Sequence, residues 1–321
     1  MSQKKMIASQ ADPAINSSQL PLNVSEYLLA ALSKNTKLAY QQDIKHFLQW
    51  GGHIPASPEC VASYLAECAS HLAIATLSRR VVAIGRAHTA LQLDSPTKSE
   101  LVKATLQGIR RINGSAQRHV LPALKTDIQA MVKGLRGIKG VRDKALLLTG
   151  FAGAFRRSEL VSLQVEDLQF VDGGVVIHLC RGKTDQMGRG RDIAIPYVRG
   201  RTCPVMAIKE WLAQSGIKSG SLFRRVSRYG SVMDQGLSAQ SVALIVKARA
   251  LAAGLNAAQF SGHSLRAGLA TSAATAGVST WKIRQQTGHQ SDAMLQRYIR
   301  DSQIFKDNPV CTVWRTRKNR G

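Results

Sequence analysis

Apolar residues recur every three or four positions through the first third of the chain, which is the spacing of one helix face. The pattern begins near Ser25 and ends near Ile112. One helix is expected from Asn35, as its N-cap, to Trp50. Apolar positions on the expected helices are Leu38, Ile44, Phe47 and Leu48, then Val61, Tyr64 and Leu65, then Leu77, Val81, Ile84 and His88, then Leu101, Leu106 and Ile109. The pattern predicts a small all-helical domain over residues 25–112.

The period of the pattern changes in the second half of the chain. Between 168 and 196 the side chains alternate between two faces, with Val175, Ile177 and Leu179 on one and Val176, His178 and Cys180 on the other. Such alternation is typical of strands. Turns are expected at 172–173 and 183–190, and helical patterns lie on both sides of this segment. The sequence therefore predicts a mainly α fold with a small antiparallel β-sheet, in two domains.

Composition divides the chain into further segments. Residues 1–24 are polar and weakly periodic, which predicts a flexible N-terminal arm. Residues 113–119 are rich in turn-forming residues and predict a linker between a domain at 25–112 and another at 120–300. Residues 301–321 form a tail whose apolar positions could pack on a neighbouring copy or on their own domain.

Net charge gives the first indication of function. The chain has 44 Lys and Arg against 20 Asp and Glu, a formal charge of +24. Such an excess favours a polyanionic partner, above all nucleic acid, with ribosomal or membrane-surface binding as alternatives. The arginines that we expect to contact DNA are Arg79, Arg80, Arg86, Arg110, Arg111, Arg118, Arg181 and Arg189.

Cysteine usage and hydropathy argue against several classes of protein. The five cysteines are an odd number, without close pairs or zinc-ligand spacing, so neither a disulfide scaffold nor a metal site is expected. No apolar run is long enough to span a bilayer, and the first residues lack the apolar core of a signal peptide. We expect a cytoplasmic protein without a membrane or small-molecule partner.

Two pairs of side chains are spaced to share a helix face. His263 and Arg266 are three residues apart, as are Arg156 and Glu159, whose carboxylate could hold the guanidinium in place. Lys183 lies in the second expected turn between strands, where a lysine can reach a substrate. Taken singly, each feature fits an ordinary surface charge equally well.

A tyrosine near the end of the chain stands two turns into a further expected helix. Ser291 is its expected N-cap, and Gly288-His289 lies just upstream of Tyr298. A lone helical tyrosine is usually a packing residue. The neighbouring histidines and arginines in a strongly basic chain change that balance toward function.

In this order, these segments resemble the tyrosine recombinase (phage integrase) family. The family pattern runs Arg-x-x-Glu-Leu, a β-hairpin Lys, His-x-x-Arg, Gly-His, and a Tyr nine residues after that His. The resemblance covers nearly the whole chain and implies catalytic roles for Arg156, Lys183, His263, Arg266, His289 and Tyr298, with Glu159 in support. The departures are a second arginine at 157, Ala267 where many relatives carry His, and further arginines at 181, 189 and 191 that crowd Lys183.

The resemblance implies a site-specific DNA recombinase that works by transesterification, without ATP, cofactor or metal. Tyr298 would form a 3′-phosphotyrosyl intermediate, with His263 accepting its proton and Lys183 as general acid. Arg156, Arg266 and His289 would hold the nonbridging oxygens. Its partners would be double-stranded DNA with a specific site and three further copies, exchanging strands through a Holliday junction. The family also implies a helical core DNA-binding domain, a catalytic domain, docking of the tail in trans, and a bacterial or phage-encoded protein associated with the nucleoid.

Other activities fit the same residues. A type IB topoisomerase or a telomere resolvase would use the same covalent chemistry without joining two sites. A DNA-binding regulator on the same fold would lack the chemistry, although the complete set of candidate residues argues against it.

Overall fold

The computed structural model divides into two compact units, Met1–Arg118 and His119–Gly321. The residues that the structure describes are 32–114, 120–179, 190–289, 291–292, 295–296 and 298. The expected N-terminal arm and C-terminal tail lie outside these residues. In the described ranges, no helix is both long enough and apolar enough to cross a membrane.

The first unit is built of helices, as the sequence pattern predicts. Its elements are α1 (Lys34–Trp50), α2 (Pro58–Cys68), α3 (Ile74–Ala90), a 3₁₀ turn (Pro96–Lys98) and α4 (Glu100–Asn113). The expected N-cap of α1 was wrong by two residues, because the Ser33 side chain, not that of Asn35, accepts the Thr36 amide. Asn113, expected in the linker, ends α4 and donates to the Ala69 carbonyl at 2.8 Å.

The core of the first unit contains most of the expected aromatic and aliphatic residues, but Leu38 is 47% exposed and Leu48 and Leu106 are only partly buried. Phe47, Tyr64 and Leu77 are buried, but Leu101 is 45% exposed because α4 presents its neighbour Val102 to the core instead. Val81 is only partly buried. The other positions expected on this face of α3, Leu77, Ile84 and His88, are buried.

The second unit combines helices with two small sheets. Its helices are α5 (Lys125–Val132), α6 (Gly137–Ala152), α7 (Arg157–Ser162), α8 (Pro204–Ser215), α9 (Ala239–Ala252), α10 (Gly262–Thr275) and α11 (Thr280–Thr287). Its strands are β1 (Leu168–Val171), β2 (Gly174–Leu179), β3 (Arg191–Pro196), β4 (Arg224–Val226) and β5 (Val232–Gly236). Short 3₁₀ turns occur at Val165–Asp167 and Ala257–Gln259.

The expected three-stranded sheet is confirmed, with antiparallel order β1-β2-β3. Val175 of β2 pairs with Phe170 of β1 and with Ile195 of β3, and the alternate residues of β2 face the core. The hairpin β4–β5 was not predicted, because its short strands carry mostly polar residues. A mainly helical fold with small antiparallel sheets, in two domains, is thereby confirmed.

Close packing sets the position of α10 within the second unit. Ala123 donates its amide to the Ser264 carbonyl at 2.9 Å, and a Cβ at Gly268 would lie 1.8 Å from the Ala123 carbonyl oxygen. Only glycine allows this approach. The segment before α5 thus fixes α10, the helix that carries two of the candidate residues.

Candidate active site

The start of α7 holds the first candidate pair. Glu159 is 2% exposed and accepts the backbone amide of Arg156 at 2.9 Å, so it caps the helix as well as pairing with the side chain. Its Oε1 also accepts from Nη1 of Arg156 at 2.5 Å. Of the two adjacent arginines, Arg156 is held beside the carboxylate, whereas Arg157 is exposed.

The second candidate arginine lies on α10, whose N-terminus is closed by Ser261 as expected. Arg266 is 1% exposed and donates from Nη1 to the carbonyl of Ala154 at 2.9 Å. Ala154 has a φ of 48°, a left-handed conformation that is uncommon for any residue but glycine. Nη2 of Arg266 has no hydrogen-bond partner among the described residues. A buried donor without a partner is costly, so this atom is suited to receive an anion.

The candidate nucleophile contacts a candidate base. The hydroxyl of Tyr298 lies 2.9 Å from Nε2 of His263 on α10. Tyr298 also packs against a small cluster formed by α10, α11 and Leu295. His263 is exposed, and Tyr298 is partly buried.

A second histidine flanks the same tyrosine. His289 follows Gly288, the left-handed C-cap of α11, and its ring centroid lies 5.7 Å from that of Tyr298. The Thr287 hydroxyl donates to the Ile283 carbonyl at 2.7 Å, so it must accept from Nδ1 of His289, also at 2.7 Å. The neutral imidazole therefore carries its proton on Nδ1 and presents an unprotonated Nε2.

One member of the site was missing from the candidates. Arg191, the first residue of β3, lies with Nη2 at 3.4 Å from Oε2 of Glu159 and donates from Nη1 to the Gln286 carbonyl at 3.0 Å. The sequence showed only that it is one of several arginines near the expected hairpin. No local pattern distinguishes it, because both of its partners lie far away along the chain.

Burial and neighbouring charges lower the pKa of several groups in the site. Burial, followed by the charge of Arg156, lowers the pKa of Arg266 to about 10. Burial lowers the pKa of His289 to about 3, and the charges of Arg266 and Arg156 add to this effect. Burial also lowers the pKa of Arg191. Glu159 thus pairs with both Arg156 and Arg191, and burial together with the nearby arginine charges keeps His289 neutral at physiological pH.

The remaining candidates are placed differently. Arg110 and Arg111 are exposed on α4, Arg79 pairs with Asp43, and Arg86 lies over the Tyr40 ring. Arg80 was expected on a DNA-facing surface, but it is 7% exposed because it donates to the buried Tyr64 hydroxyl at 2.7 Å. The candidates Arg118, Arg181, Lys183 and Arg189 lie outside the described residues.

Comparison with known proteins places this geometry in a family. The model of the phage integrase family matches residues 124–303. A xerD homolog of Selenomonas ruminantium, an integrase/recombinase, is 41% identical over 306 residues, covering 92% of this chain and 90% of its own. The recombinase cre of Escherichia phage P1 is 27% identical and covers 77% of each chain.

Solved structures share the fold at lower identity. A XerH site-specific recombinase in a post-cleavage complex with a palindromic difH substrate matches with a TM-score of 0.61 at 17% identity, covering 91% of this chain and 82% of that one. A lambda integrase dimer bound to a COC′ core site also gives 0.61 at 17% identity, covering 86% and 75%. The family model matches more than half of the chain, and the xerD homolog is similar over nearly the full length of both chains. This chain therefore belongs to the phage integrase family of tyrosine recombinases.

Proposed function

We propose that this protein is a site-specific DNA recombinase that cuts and rejoins double-stranded DNA through a covalent link to Tyr298. The observation that carries the proposal is the 2.9 Å contact between the Tyr298 hydroxyl and Nε2 of His263. A phenol has a pKa of about 10 and needs a base to become a nucleophile at neutral pH. His263 is within reach to accept that proton.

The charge around this pair favours a phosphodiester as the substrate. Arg156 and Arg266 present guanidinium groups, which bind two oxygens of a phosphate at once. Nη2 of Arg266 is buried without a partner among the described residues, so a phosphate oxygen would satisfy it. In the transition state the nonbridging oxygens gain negative charge, and preorganised donors stabilise that charge most.

The proposed step exchanges one phosphate ester for another. The Tyr298 oxygen forms a bond to phosphorus while its proton passes to Nε2 of His263, and the bond from phosphorus to the 5′-oxygen breaks. The 5′-oxygen takes a proton from a general acid, for which Lys183 remains the candidate. The product is a 3′-phosphotyrosyl link and a free 5′-hydroxyl, and attack by a 5′-hydroxyl of the partner strand reverses the step. No external energy source is needed, because the number of ester bonds is conserved.

His289 would support the phosphate in a protonated form. Its neutral form presents a lone pair at Nε2, which cannot donate to an oxygen. Burial and, after it, the arginine charges keep its pKa low; a bound phosphate would offset those charges and so favour a second proton on Nε2. The imidazolium could then donate to a nonbridging oxygen.

The partner and the assembly extend the same proposal. The formal charge of +24 favours duplex DNA, and the similar XerH and lambda integrase structures were solved bound to DNA sites. We propose that residues 25–112 form a core DNA-binding domain and 120–300 the catalytic domain. Four copies would act on two sites through a Holliday junction, with the tail at 301–321 docking on a neighbouring copy.

A trapped covalent adduct tests the chemistry. DNA sites would first be selected from a random pool with the native protein, and a duplex with a nick near the scissile bond would then be offered. We expect a protein–DNA adduct with the native protein and none with Tyr298→Phe, which keeps the ring but removes the nucleophile. The measurement is the fraction of labelled DNA that migrates with denatured protein.

Two outcomes would overturn the proposal. If the native protein forms no adduct on any selected site, the alternative of a DNA-binding regulator is favoured. If it forms the adduct but relaxes a plasmid with one site as readily as it joins two sites, a topoisomerase-like activity replaces recombination.

A further inference from the structure

Arg191 connects three elements that carry the proposed site. It begins β3, its Nη2 lies 3.4 Å from Oε2 of Glu159 at the start of α7, and its Nη1 donates to the Gln286 carbonyl in α11 at 3.0 Å. Glu159 in turn holds Arg156 through both backbone and side chain. One guanidinium thus links the anchor of Arg156 with the helix that ends just before His289.

The backbone makes room for this guanidinium at Gly288. A Cβ there would lie 2.5 Å from Nη1 and 2.8 Å from Cζ of Arg191, closer than any real contact. Gly288 also has a φ of 66°, which favours glycine. Any larger residue at 288 would therefore displace the Arg191 side chain from its contacts.

We propose that Arg191 is a positioning residue, which fixes Arg156 and His289 relative to each other so that both can meet the same phosphate. The inference rests on the proposed function. Arg191 directs one N–H donor to each of Glu159 and Gln286, so it can act through these partners without touching DNA. Its charge has a second effect, since it adds to the positive potential at Arg266 and His289.

Arginine is suited to this role and lysine is not. The planar guanidinium presents donors in two directions at a fixed angle, whereas an ammonium group is a compact charge on a flexible stem. A lysine at 191 could pair with Glu159 or reach the Gln286 carbonyl, but it would not hold both in one geometry. The distinction gives a variant that keeps the charge and loses the geometry.

The first test compares Arg191→Met and Arg191→Lys with Arg199→Met, an exposed arginine whose loss removes the same charge. The readouts are the single-turnover rate of adduct formation and the affinity for the selected duplex. We expect both Arg191 variants to form adduct on the order of 100-fold more slowly, because small misplacements of catalytic groups have effects of that size. The DNA affinity of Arg191→Met should match that of Arg199→Met, and the affinity of Arg191→Lys, which keeps the charge, should match that of the native protein.

The second test changes Gly288, where an added Cβ would meet the Arg191 guanidinium. Gly288→Ala should slow adduct formation in the native background by displacing the guanidinium. In the Arg191→Met background, Gly288→Ala should slow adduct formation much less, because only the strain of the left-handed backbone remains. A merely structural defect would instead give effects that multiply. Methylguanidinium added to Arg191→Met should recover part of the rate.

The outcomes separate this inference from the proposed function. If the native protein and Arg199→Met form adduct and Arg191→Lys is as fast, Arg191 has no positioning role. Independent effects of Gly288→Ala and Arg191→Met would overturn it as well. If the native protein itself forms no adduct, the proposed function fails. Should Arg191→Met fail to fold, Arg191→Lys and Gly288→Ala alone still decide the question.

Discussion

The two units each bury an arginine next to a tyrosine and a histidine, but they use this set in opposite ways. In the first unit, Nη1 of Arg80 donates to the Tyr64 hydroxyl at 2.7 Å, and Nδ1 of His46 lies 3.0 Å from the same oxygen. In the second, Tyr298 meets His263 at 2.9 Å, near the buried Arg266. The same residue types thus build a core in one place and a candidate site in another.

Compensation of charge distinguishes the two clusters. Asp43 is buried in the first, where it accepts two hydrogen bonds from Arg79 and lies 3.6 Å from Nε of Arg80. Burial raises the pKa of the Tyr64 phenol, so this hydroxyl stays protonated inside the core. Nε of Arg80 makes no hydrogen bond among the described residues, but the buried carboxylate of Asp43 lies beside it and offsets its charge.

The second cluster is incomplete without an anion. One carboxylate, Glu159, stands among the guanidinium groups of Arg156, Arg191 and Arg266, and Nη2 of Arg266 finds no acceptor in the described part of the chain. A buried Arg-His-Tyr set is therefore not by itself evidence of catalysis. Both clusters hold an arginine donor without a hydrogen bond, so the excess positive charge around Glu159, beside a tyrosine hydroxyl paired with an exposed histidine, is what points to a phosphate site.

Removing the carboxylate of the first cluster should have the largest effect. We expect Asp43→Asn to lower the free energy of unfolding by about 3–5 kcal/mol, because it leaves the buried charge of Arg80 without its partner. Chemical denaturation of both proteins measures the difference. The double variant Asp43→Asn with Arg80→Met should recover most of the loss, and a double variant as unstable as the single one would contradict this account.

Removing the buried arginine of the second cluster should lower activity without lowering stability. We expect Arg266→Met to slow adduct formation by about 10²–10³-fold, the usual effect of losing one preorganised donor. Its free energy of unfolding should stay level or rise, because an uncompensated buried charge is removed. The measurements are single-turnover rates on the selected duplex and denaturation curves.

The matched control for this prediction is Arg80→Met. It should lower the free energy of unfolding by about 1–3 kcal/mol through lost buried hydrogen bonds, while the folded protein keeps its rate of adduct formation. If Arg266→Met were the more destabilised of the two, the contrast between a compensated core and an uncompensated site would be wrong.

Local spacing made much of the fold and part of the site predictable. Residues three apart on one turn, such as His263 with Arg266 and Arg156 with Glu159, follow from helix geometry alone, as does the cap at Ser261. The alternation in β2 predicted its sheet. At α1, both Ser33 and Asn35 are good N-caps, and only the observed hydrogen bond decides between them.

What spacing could not supply were contacts between distant parts of the chain. Arg80 is buried because Asp43 and Tyr64, which lie on two other helices, provide partners for its guanidinium. The helical pattern alone predicts that an arginine is exposed. Arg191 has partners 32 and 95 residues away, so no local window contains its role. Whether a charged side chain is buried depends on electrostatic partners that are distant along the chain, and the amphipathic pattern does not predict them.

The smallest effect that we predict is on the pH dependence of stability, and it again compares the clusters. His289 has a pKa of about 3 in the folded protein, from burial and the arginine charges, against an ordinary value of 6.5. Between these values the unfolded chain binds a proton that the folded protein does not, so stability falls as the pH drops below 6.5. The native protein should lose about 1.4 kcal/mol per pH unit in that window relative to His289→Gln.

His46 provides the matched comparison from the first unit. Burial and the charge of Arg80 also lower its pKa, but nearby Asp43 opposes the shift. His46→Gln should therefore relieve less of the acid sensitivity than His289→Gln, as denaturation curves at pH 7 and pH 5 would show. Equal relief by the two variants would mean that burial and the arginine charges do not hold the pKa of His289 further below its ordinary value than that of His46, which would contradict the excess positive charge assigned to the second cluster.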